Sequence, residues 1–397
     1  MEASRSPAIL QVADYGGNYS GNFVASLRAL SDPCRSLGLR LAFAFSRLSE
    51  EPPFIRTLRE EGFPVYLLDR AATLLDRVRA LTELAGEANA TLLHTHFARY
   101  DVPAALAAIH RRRPLSVVWH AHSPMPKNLS VNSVAKEAIK MRVLGRSVHL
   151  AAVSPAILDE AIGNGFPVSR AHHIPNAVDV QRATAREIGR NETRRRLAIP
   201  PGAPTVLTFG WDPLRKGIDV ALDAIASLWA GESGPFLLVI GGHELHAFLH
   251  ARWRGTTPTW VRVLPLREHV GDLYAAADVF VSASRAEGFP YALGEAVANG
   301  MPILASHIPG CEWVREIEGA RFVPPGDAVS LARALREAIR LSPERRAHIR
   351  RAQRAYAAEH LSLSAWAQRV AGVYRESLAG MIPLSGKRLK PARPISA

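Results

Sequence analysis

The stretch that decides the fold is residues 278–306, DVFVSASRAEGFPYALGEAVANGMPILAS. An apolar run, DVFVSAS, precedes a Gly-Phe-Pro turn, and a segment of helical periodicity then leads to a second apolar run, PILAS. Short apolar runs with little polar alternation are typical of parallel strands that helices cover on both faces. The stretch therefore predicts a strand–helix–strand unit whose helix begins at about Tyr291.

The same alternation runs through both halves of the chain. Further apolar runs are PAILQVAD, LRLAFAF, PVYLLD, TLLHTH and SVVWHAH in the first half, and TVLTFG, FLLVIGG and WVRVLPL in the second. We predict an α/β protein with two Rossmann-like doubly wound domains facing a central cleft. The predicted segments are an N-terminal domain (1–182), a C-terminal domain (183–360), a terminal helix packing back on the N-terminal domain (361–380) and a basic tail (381–397).

Composition indicates a globular protein. Of 397 residues, 48% are hydrophobic and 21% are charged, and this length favours two domains. Cys34 and Cys311 lie too far apart in the sequence to suggest a disulfide framework or a cysteine-based zinc site, which favours a reducing, cytoplasmic compartment. We expect neither a secretory signal nor a membrane span, because no apolar stretch approaches ~18 residues.

The net charge of +13 is unevenly distributed. Residues 99–148 contain nine Lys or Arg against two Asp or Glu. The absence of zinc-finger and RNA-recognition motifs argues against nucleic acid as the partner. Within this segment NSVAKEAIKMRVLGRSV predicts an amphipathic helix with Lys136, Lys140 and Arg146 on its polar side. This basic side has two interpretations. It contacts an anionic membrane surface or a phosphorylated lipid, or it is an ordinary solvated face of a helix whose apolar stripe packs against the protein.

A basic pair follows the strand TVLTF. Gly210 permits a tight exit from this strand, and Arg215 and Lys216 stand near the next helix start. Unpaired amides and the helix dipole favour an anion there, and a diphosphate would suit. The alternative is a solvated Arg-Lys pair on a surface helix.

Two glutamates flank the Gly-Phe-Pro turn. Pro290 suits a helix start, and the amides of Tyr291 and Ala292 would then point outward as anion donors. Glu287 and Glu295 would face the same ligand and accept hydrogen bonds from sugar hydroxyls. The alternative makes both glutamates ordinary charges near a helix N-terminus.

Two His-x-His pairs end neighbouring predicted strands, His94 with His96 and His120 with His122. Histidines two apart on a strand share a face, as zinc ligands often do. However, Asp14 is the only carboxylate expected nearby, so we predict no metal. Hydrogen-bonded core roles suit His94 and His120 better.

In combination these motifs resemble the retaining glycosyltransferases of family 4, the group 1 transferases with the GT-B architecture. The resemblance spans essentially the whole chain. It rests on GGNYSGN (16–22), HTHF (94–97), HAHSP (120–124), AVSPAI (152–157), HHIPNAVD (172–179), the Gly-to-Lys-Gly stretch (210–217) and the Glu-seven-residues-Glu motif (287–295).

The resemblance implies roles for individual residues. Lys216 would bind the donor diphosphate, and the amides after Phe289, those of Tyr291 and Ala292, would bind the phosphate. Glu287 would bind the donor sugar and Glu295 the nucleotide ribose. The backbone around Leu266 would bind the base. In the N-terminal domain Gly17 would let the backbone approach the donor, His122 would contact the sugar near its reacting centre, and Lys127 and Asn128 would border the acceptor.

Two positions depart from the family pattern. The arginine that usually follows the glycine is Trp211 here, so Arg215 is the candidate to replace that cation. The second glycine of the family's EGFG is Pro290, which removes one amide from the phosphate cradle. Both changes bear on how the diphosphate is held.

The resemblance implies transfer of a sugar, with retention at the anomeric carbon, from a nucleoside diphosphate sugar to a hydroxyl acceptor. UDP is the expected nucleotide, no metal cofactor is expected, and the acceptor is a saccharide, a lipid-linked saccharide or a small molecule. Polysaccharide, glycolipid or glycoside biosynthesis is the expected setting. Two alternatives stay open: a nucleotide-sugar epimerase or hydrolase of the same fold, and a non-catalytic nucleotide-sugar binder.

Overall fold

The structure is a computed structural model. It describes residues 6–17, 19–70, 73–110, 113–125, 130–184, 186–229, 234–267, 269–379 and 381. The chain divides into two compact units, which we call unit 1 (residues 1–176 and 363–397) and unit 2 (residues 177–362).

Unit 1 is built on a seven-stranded parallel sheet. Its strands are β1 (Ala8–Ala13), β2 (Arg40–Ser46), β3 (Val65–Leu68), β4 (Ala90–His96), β5 (Ser116–Ala121), β6 (His149–Ala152) and β7 (Ala171–His173). Their order across the sheet is β3-β2-β1-β4-β5-β6-β7. Its helices are α1 (Gly21–Ala29), α2 (Ser31–Ser36), α3 (Pro53–Glu60), α4 (Leu74–Glu87), α5 (Asp101–His110), α6 (Val131–Val143), α7 (Pro155–Gly163) and, from the end of the chain, α16 (Leu363–Leu378).

Unit 2 is built on a six-stranded parallel sheet. Its strands are β8 (Thr205–Phe209), β9 (Phe236–Ile240), β10 (Val261–Leu264), β11 (Val279–Ser282), β12 (Ile303–Ser306) and β13 (Ala320–Val323), in the order β10-β9-β8-β11-β12-β13. Its helices are α8 (Val180–Thr184), α9 (Arg190–Arg196), α10 (Ile218–Leu228), α11 (His243–Trp253), α12 (Gly271–Ala276), α13 (Tyr291–Asn299), α14 (Ala328–Ile339) and α15 (Pro343–His360).

The strands are buried as their apolar sequences require. Every residue of β1 and of β9 is buried, because helices cover both faces of each parallel sheet. Two parallel α/β units are therefore the observed architecture, and the predicted fold class is confirmed. Three of the described strands, β6, β7 and β13, were not predicted from the sequence. The helix α11 was not predicted either.

The division of the chain differs from the predicted boundary at 182. The short helix α8 packs against α12 and α13, and it therefore belongs to unit 2. The helix α16 belongs to unit 1, where it packs against α1, α2, β5 and β6. Its buried face carries Trp366, Val370 and Tyr374.

The carboxyl ends of parallel strands lie at one edge of each sheet, and the loops that follow them place the candidate side chains. In unit 1 the register pairs Gln11 of β1 with His94 of β4, and His96 of β4 with His120 of β5. In unit 2 β8 and β11 are hydrogen-bonded neighbours. The loops after Phe209 and Ser282 therefore start side by side.

Within the described residues, no helix is both long enough and apolar enough to cross a membrane.

Candidate functional site

The loop from β8 to α10 reaches the end of β11 through one glycine. Gly217 has a left-handed backbone with φ of 66°, and a Cβ built there would lie 1.9 Å from the carbonyl oxygen of Ala283. Only glycine fits this close approach without a backbone shift. The approach brings Arg215 and Lys216 beside the stretch that carries Glu287.

Lys216 and Glu287 form a buried ion pair in unit 2. The lysine Nζ donates to Glu287 Oε1 across 2.6 Å, and only 9% of Lys216 is exposed. The Ser284 hydroxyl donates to the same carboxylate oxygen at 2.8 Å. Because an ammonium carries three N–H donors, the bond to Glu287 uses one of them. Two residues predicted from separate motifs thus meet at one place.

Arg215 joins this group from its other side. Its guanidinium donates to the carbonyl of Ala286 at 3.0 Å, to Glu287 Oε2 at 3.3 Å and to Asp212 Oδ2 at 3.0 Å. It also lies 4.3 Å from the ring centroid of Trp211, which is 48% exposed. Trp211, at the position of the missing family arginine, therefore supports the arginine four residues on by a cation–π contact.

The helix α13 starts at Tyr291, the residue predicted from the Gly-Phe-Pro turn. Pro290 is its N-cap residue, with φ of −71° and ψ of 118°, and Tyr291 is its first helical residue. The amides of Tyr291 and Ala292 belong to the first turn, which has no intrahelical acceptors for them. The Phe289 side chain points into the protein and stacks on Trp313 with ring centroids 4.4 Å apart. Any role of Phe289 toward a ligand therefore falls to its backbone.

Glu295 is held by two residues that the sequence reading missed. Arg182 of α8 donates to Glu295 Oε1, and the Tyr274 hydroxyl donates to Glu295 Oε2 at 2.9 Å. Burial and the neighbouring carboxylate raise the pKa of Tyr274 well above its usual value, so this hydroxyl remains a donor. The sequence signal for Arg182 was its place just after the HHIPNAVD motif.

Leu266 lies in the loop after β10 and is exposed. It approaches the loop after β9, because a Cβ built on Gly242 would lie 3.8 Å from its side chain. Leu266 and the neighbouring Arg267 therefore stand on the carboxyl edge of the unit 2 sheet, as the Lys216–Glu287 pair does.

In unit 1, Gly17 lies under a tyrosine side chain. A Cβ built at Gly17 would lie 2.6 Å from the ring of Tyr15, whose hydroxyl donates to the Tyr19 carbonyl at 3.1 Å. The Tyr15 ring packs against Phe23 and Phe54, with centroids 4.9 and 5.8 Å away. Glycine is therefore needed at position 17 for the tyrosine to cover the loop.

A pocket of about 230 Å³ opens beside this loop at the carboxyl end of β2. Its lining combines the aromatic rings of Tyr15, Phe45 and Phe54 with the charged groups of Arg47 and Glu51. The pocket can therefore take a ligand that is apolar on one side and polar on the other.

The four histidines meet in the core of unit 1. His94 Nε2 and His120 Nδ1 are 3.2 Å apart, and His96 Nδ1 and His122 Nε2 are 3.0 Å apart. Burial lowers the pKa of His94 and of His122 to about 3, and the pKa values of His96 and His120 fall well below the usual value for the same reason. All four rings are therefore neutral at physiological pH.

Two groups of described side chains could approach a metal ion. The ring nitrogens of His94, His96 and His120 lie within 4.8 Å of one another, but their other bonds go to a glutamine, a tyrosine and a fourth histidine rather than to carboxylates. Asp14, the predicted nearby carboxylate, instead pairs with Arg70 at 3.1 Å.

The second group lies where β6 and β7 form one edge of the unit 1 sheet. It consists of His149, His172 and Glu376, with the two rings joined by a 3.1 Å contact between His149 Nδ1 and His172 Nε2. Burial and the neighbouring His172 lower the pKa of His149 to about 4, and the charge of Arg170 adds to this lowering. The same charge opposes a bound cation.

The helix α6 differs from the predicted amphipathic arrangement. Lys140 does not belong to the exposed polar side, because its Nζ donates to Glu137 at 3.0 Å and lies 5.1 Å from the ring centroid of Trp119. The exposed face instead carries two apolar side chains, Ile139 and Val143, each 61% exposed. Between residues 132 and 148 the exposed basic residues are Lys136, Arg142 and Arg146.

Several predicted features lie outside the described residues. They are Lys127 and Asn128, Asn18 of the GGNYSGN motif, and all but Met381 of the basic tail.

Comparisons with known proteins place the chain in a family. Residues 27–182 match the family described as Glycosyltransferase Family 4, and residues 203–340 match the family described as Glycosyl transferases group 1. The two matches fall in unit 1 and unit 2, respectively, apart from the last residues of the first. The chain therefore belongs to the group 1, family 4 glycosyltransferases.

Individual relatives are more distant. The chain is 27% identical to alpha-galactosylglucosyldiacylglycerol synthase of Streptococcus pneumoniae over 60% of its own length and 65% of that protein. It is 33% identical to a GDP-mannose-dependent alpha-mannosyltransferase of Mycobacterium tuberculosis over 40% of its length and 39% of that protein. The matched segments thus span less than two thirds of either relative.

Among solved structures, HepE of Anabaena, crystallised with UDP and glucose, superposes with a TM-score of 0.77 at 19% identity. The match covers 93% of this chain and all of that one. At this identity the likeness shows the fold alone, which is the GT-B fold of two Rossmann-like units.

Proposed function

We propose that this protein is a retaining glycosyltransferase that transfers a sugar from a UDP-sugar to a hydroxyl acceptor. The observation that carries the proposal is the meeting of Lys216, Arg215 and Glu287 beside the first turn of α13. Cations and outward amides suit a diphosphate, and a carboxylate beside them suits the hydroxyls of the sugar attached to it.

The chemistry follows from where charge develops. Breaking the bond between the sugar and the diphosphate leaves negative charge on the β-phosphate. Lys216, Arg215 and the amides of Tyr291 and Ala292 would stabilise this charge without a metal ion. Glu287 would hold the donor sugar and Glu295 the ribose, so that both position the donor instead of acting as a glycosidase acid and nucleophile.

In this proposal unit 1 supplies the acceptor side. Gly17 and His122 would approach the donor sugar, and the pocket lined by Tyr15, Phe45 and Arg47 would bind the acceptor. Retention would follow from attack on the face that the diphosphate leaves, with the departing phosphate taking the acceptor's proton.

The donor nucleotide is the first thing to test. HepE was crystallised with UDP, whereas the mycobacterial relative is named for GDP-mannose. Nucleotide release from UDP-sugars and GDP-sugars, each with and without a panel of saccharide, lipid-linked and small-molecule acceptors, separates these donors. Release that requires both a UDP-sugar and an acceptor is the expected result.

The same incubations distinguish the rival functions when the donor is analysed as well as the released nucleotide, because an epimerase converts the donor without releasing nucleotide. Rapid turnover of the donor without any acceptor would establish an epimerase or a hydrolase. Donor binding by calorimetry with no turnover across the whole panel would establish a non-catalytic binder. Proton NMR of the first product at early times reports the anomeric configuration, and an inverted product contradicts the retaining mechanism.

A peripheral contact with an anionic membrane is the second part of the proposal, and it places the protein on the cytoplasmic face. It rests on α6 and the turn that follows it, where the exposed side chains of Ile139 and Val143 each precede an exposed arginine by three residues, Arg142 and Arg146. Apolar side chains flanked by basic ones are typical of helices that lie in the membrane interface.

Liposome flotation tests this contact. The protein should float with vesicles that contain anionic lipid and should not float with neutral ones. The double variant Ile139→Ser/Val143→Ser should lose flotation, whereas Val329→Ser, which removes an 82% exposed valine from α14 of unit 2, should keep it. Equal flotation with neutral and anionic vesicles would overturn the proposal.

A further inference from the structure

A hydrogen-bonded chain of six side chains runs through the core of unit 1. It starts at His122, at the carboxyl end of β5, and includes a tyrosine of the terminal helix α16. Its links are His122 Nε2 to His96 Nδ1 (3.0 Å), His96 Nε2 to Gln11 Oε1 (3.0 Å), Gln11 Nε2 to Tyr374 Oη (2.9 Å), Tyr374 Oη to His94 Nδ1 (2.7 Å) and His94 Nε2 to His120 Nδ1 (3.2 Å).

The amide of Gln11 gives one half of the chain its direction. An amide oxygen can only accept, so His96 carries its proton on Nε2 and donates it to Gln11. A neutral imidazole has a single N–H, which leaves Nδ1 of His96 as an acceptor. His122 must then donate from its own Nε2, and its Nδ1 keeps a lone pair.

The other half follows from the amide nitrogen, which can only donate. The Tyr374 hydroxyl accepts from Gln11 and therefore gives its proton to His94 Nδ1. His94 donates from Nε2 to Nδ1 of His120. The single N–H of His120 is therefore on its Nε2. This nitrogen is buried and makes no hydrogen bond within the described residues. Burial and the neighbouring histidines lower the pKa of the ring, and the backbone of Ile174 offsets part of that lowering.

We propose that Gln11 and Tyr374 are positioning residues that hold His122 in the tautomer with its proton on Nε2. His122 then meets its ligand through the lone pair of Nδ1, so it accepts a hydrogen bond from a hydroxyl and repels carboxylate or phosphate oxygens. The role of His122 at the donor sugar rests on the proposed function, whereas the direction of the chain rests only on the geometry of unit 1.

The opposite direction has a different chemical consequence. If the Gln11 amide were turned over, every donor and acceptor along the chain would be exchanged. His122 would then present an N–H at Nδ1 and would suit an anionic ligand. The protonation of one ring nitrogen therefore tests the proposal.

Nitrogen NMR of the full-length protein labelled with ¹⁵N-histidine reads this directly, with His122→Gln and His96→Gln variants for assignment. The expected result near neutral pH is a protonated Nε2 and an unprotonated Nδ1 on both His122 and His96. A protonated Nδ1 on His122 would overturn the proposal.

Variants of the positioning residues give a second test. The carboxylate introduced by the Gln11→Glu variant can only accept, so His96 and His122 should keep their tautomers while His94 changes to protonation on Nδ1. Tyr374→Phe removes the acceptor that orients the Gln11 amide, and His122 should become a mixture of tautomers. Tyr100→Phe is the matched control, because its buried hydroxyl bonds Ser46 outside the chain and its loss should leave all four rings unchanged.

Turnover separates this proposal from the proposed function. Tyr374→Phe should lower kcat roughly 3- to 10-fold, the size expected for one misdirected hydrogen bond, while Tyr100→Phe should not. An unchanged tautomer in Tyr374→Phe would show that this tyrosine does not position His122. A changed tautomer with undiminished turnover would instead refute a role for His122 in the sugar transfer. The proposed direction of the hydrogen-bonded chain would still stand.

Discussion

Lys216 donates a 2.6 Å hydrogen bond to Glu287, and both side chains are about nine-tenths buried. A buried ion pair is costly to break from one side, because the remaining charge is left in a poorly solvated place. Here the pair is also part of the proposed donor site, since each partner is a candidate ligand for a different part of the donor. Stability and turnover should therefore respond differently when one partner or both are replaced.

The variant Lys216→Met should lower turnover by about 10²- to 10³-fold, the usual effect of removing one donor to a developing negative charge. It should also lower the free energy of unfolding by up to about 3 kcal/mol, because Glu287 loses its closest cation and keeps only Arg215 at 3.3 Å and the Ser284 hydroxyl. Steady-state kinetics and urea denaturation measure the two effects. Retention of wild-type turnover by Lys216→Met would refute the assignment of this lysine.

Two further variants separate stability from chemistry. The double variant Lys216→Met/Glu287→Gln should recover much of the stability and none of the turnover, because it removes both charges. Arg252→Met, which removes an exposed ion pair with Asp223, should cost less than about 1 kcal/mol and leave turnover unchanged.

Much of this site was predictable because its residues lie in local patterns. The strand–turn–helix punctuation around Pro290 fixes the start of α13, and the spacing of the glycine and lysine motif fixes the loop after β8. Arg182 and Tyr274 could not be predicted in the same way, because their bonds to Glu295 join residues of three different helices. Such contacts depend on how the elements pack, which a single sequence does not encode in a short window.

The histidine cluster shows the same limit in unit 1. The two His-x-His pairs predict shared faces of neighbouring strands, and the structure joins them. The bond from Tyr374 to Gln11 depends on the register of β1 and on the docking of α16. The strand β7 was missed for another reason, since its sequence AHH is too short and too polar to give a strand pattern.

Tyr274→Phe tests the support of Glu295. The change removes one hydrogen bond to the carboxylate, worth about 1 kcal/mol, while Arg182 keeps its charge paired. Glu295 is the proposed ligand of the ribose, which does not react, so the KM for the donor should rise about fivefold with little change in kcat. Tyr66→Phe in unit 1 is the control. A fall in kcat at constant KM would place Glu295 at the reacting centre instead.

Gly217→Ala tests the close approach that assembles the site. The left-handed backbone alone costs a non-glycine residue about 1 to 2 kcal/mol, and the clash with the Ala283 carbonyl should add about 1 to 3 kcal/mol more. Gly62→Ala isolates the first effect, because Gly62 has φ of 86° with nothing within 4 Å of an added Cβ. In denaturant unfolding, Gly217→Ala should therefore have a clearly lower free energy of unfolding than Gly62→Ala. Only Gly217→Ala should lose turnover.

Stability should depend steeply on pH because of the buried histidines. His94 and His122 have pKa values of about 3 in the folded protein, whereas unfolded histidine has a pKa of about 6.5. Between these values the unfolded chain binds protons that the folded protein does not, so acidification favours unfolding. The full contribution is present above pH 6.5 and is lost progressively as the pH falls toward 3.

The slope of the unfolding free energy between pH 6 and 5 measures this effect. Each such histidine adds up to about 1.4 kcal/mol per pH unit to that slope. His94→Gln should reduce the slope by about that amount, whatever its effect on stability at neutral pH, because glutamine does not titrate. An equal slope in the wild type and in His94→Gln would mean that His94 is protonated in the folded core, and the neutral hydrogen-bonded chain could not then exist as described.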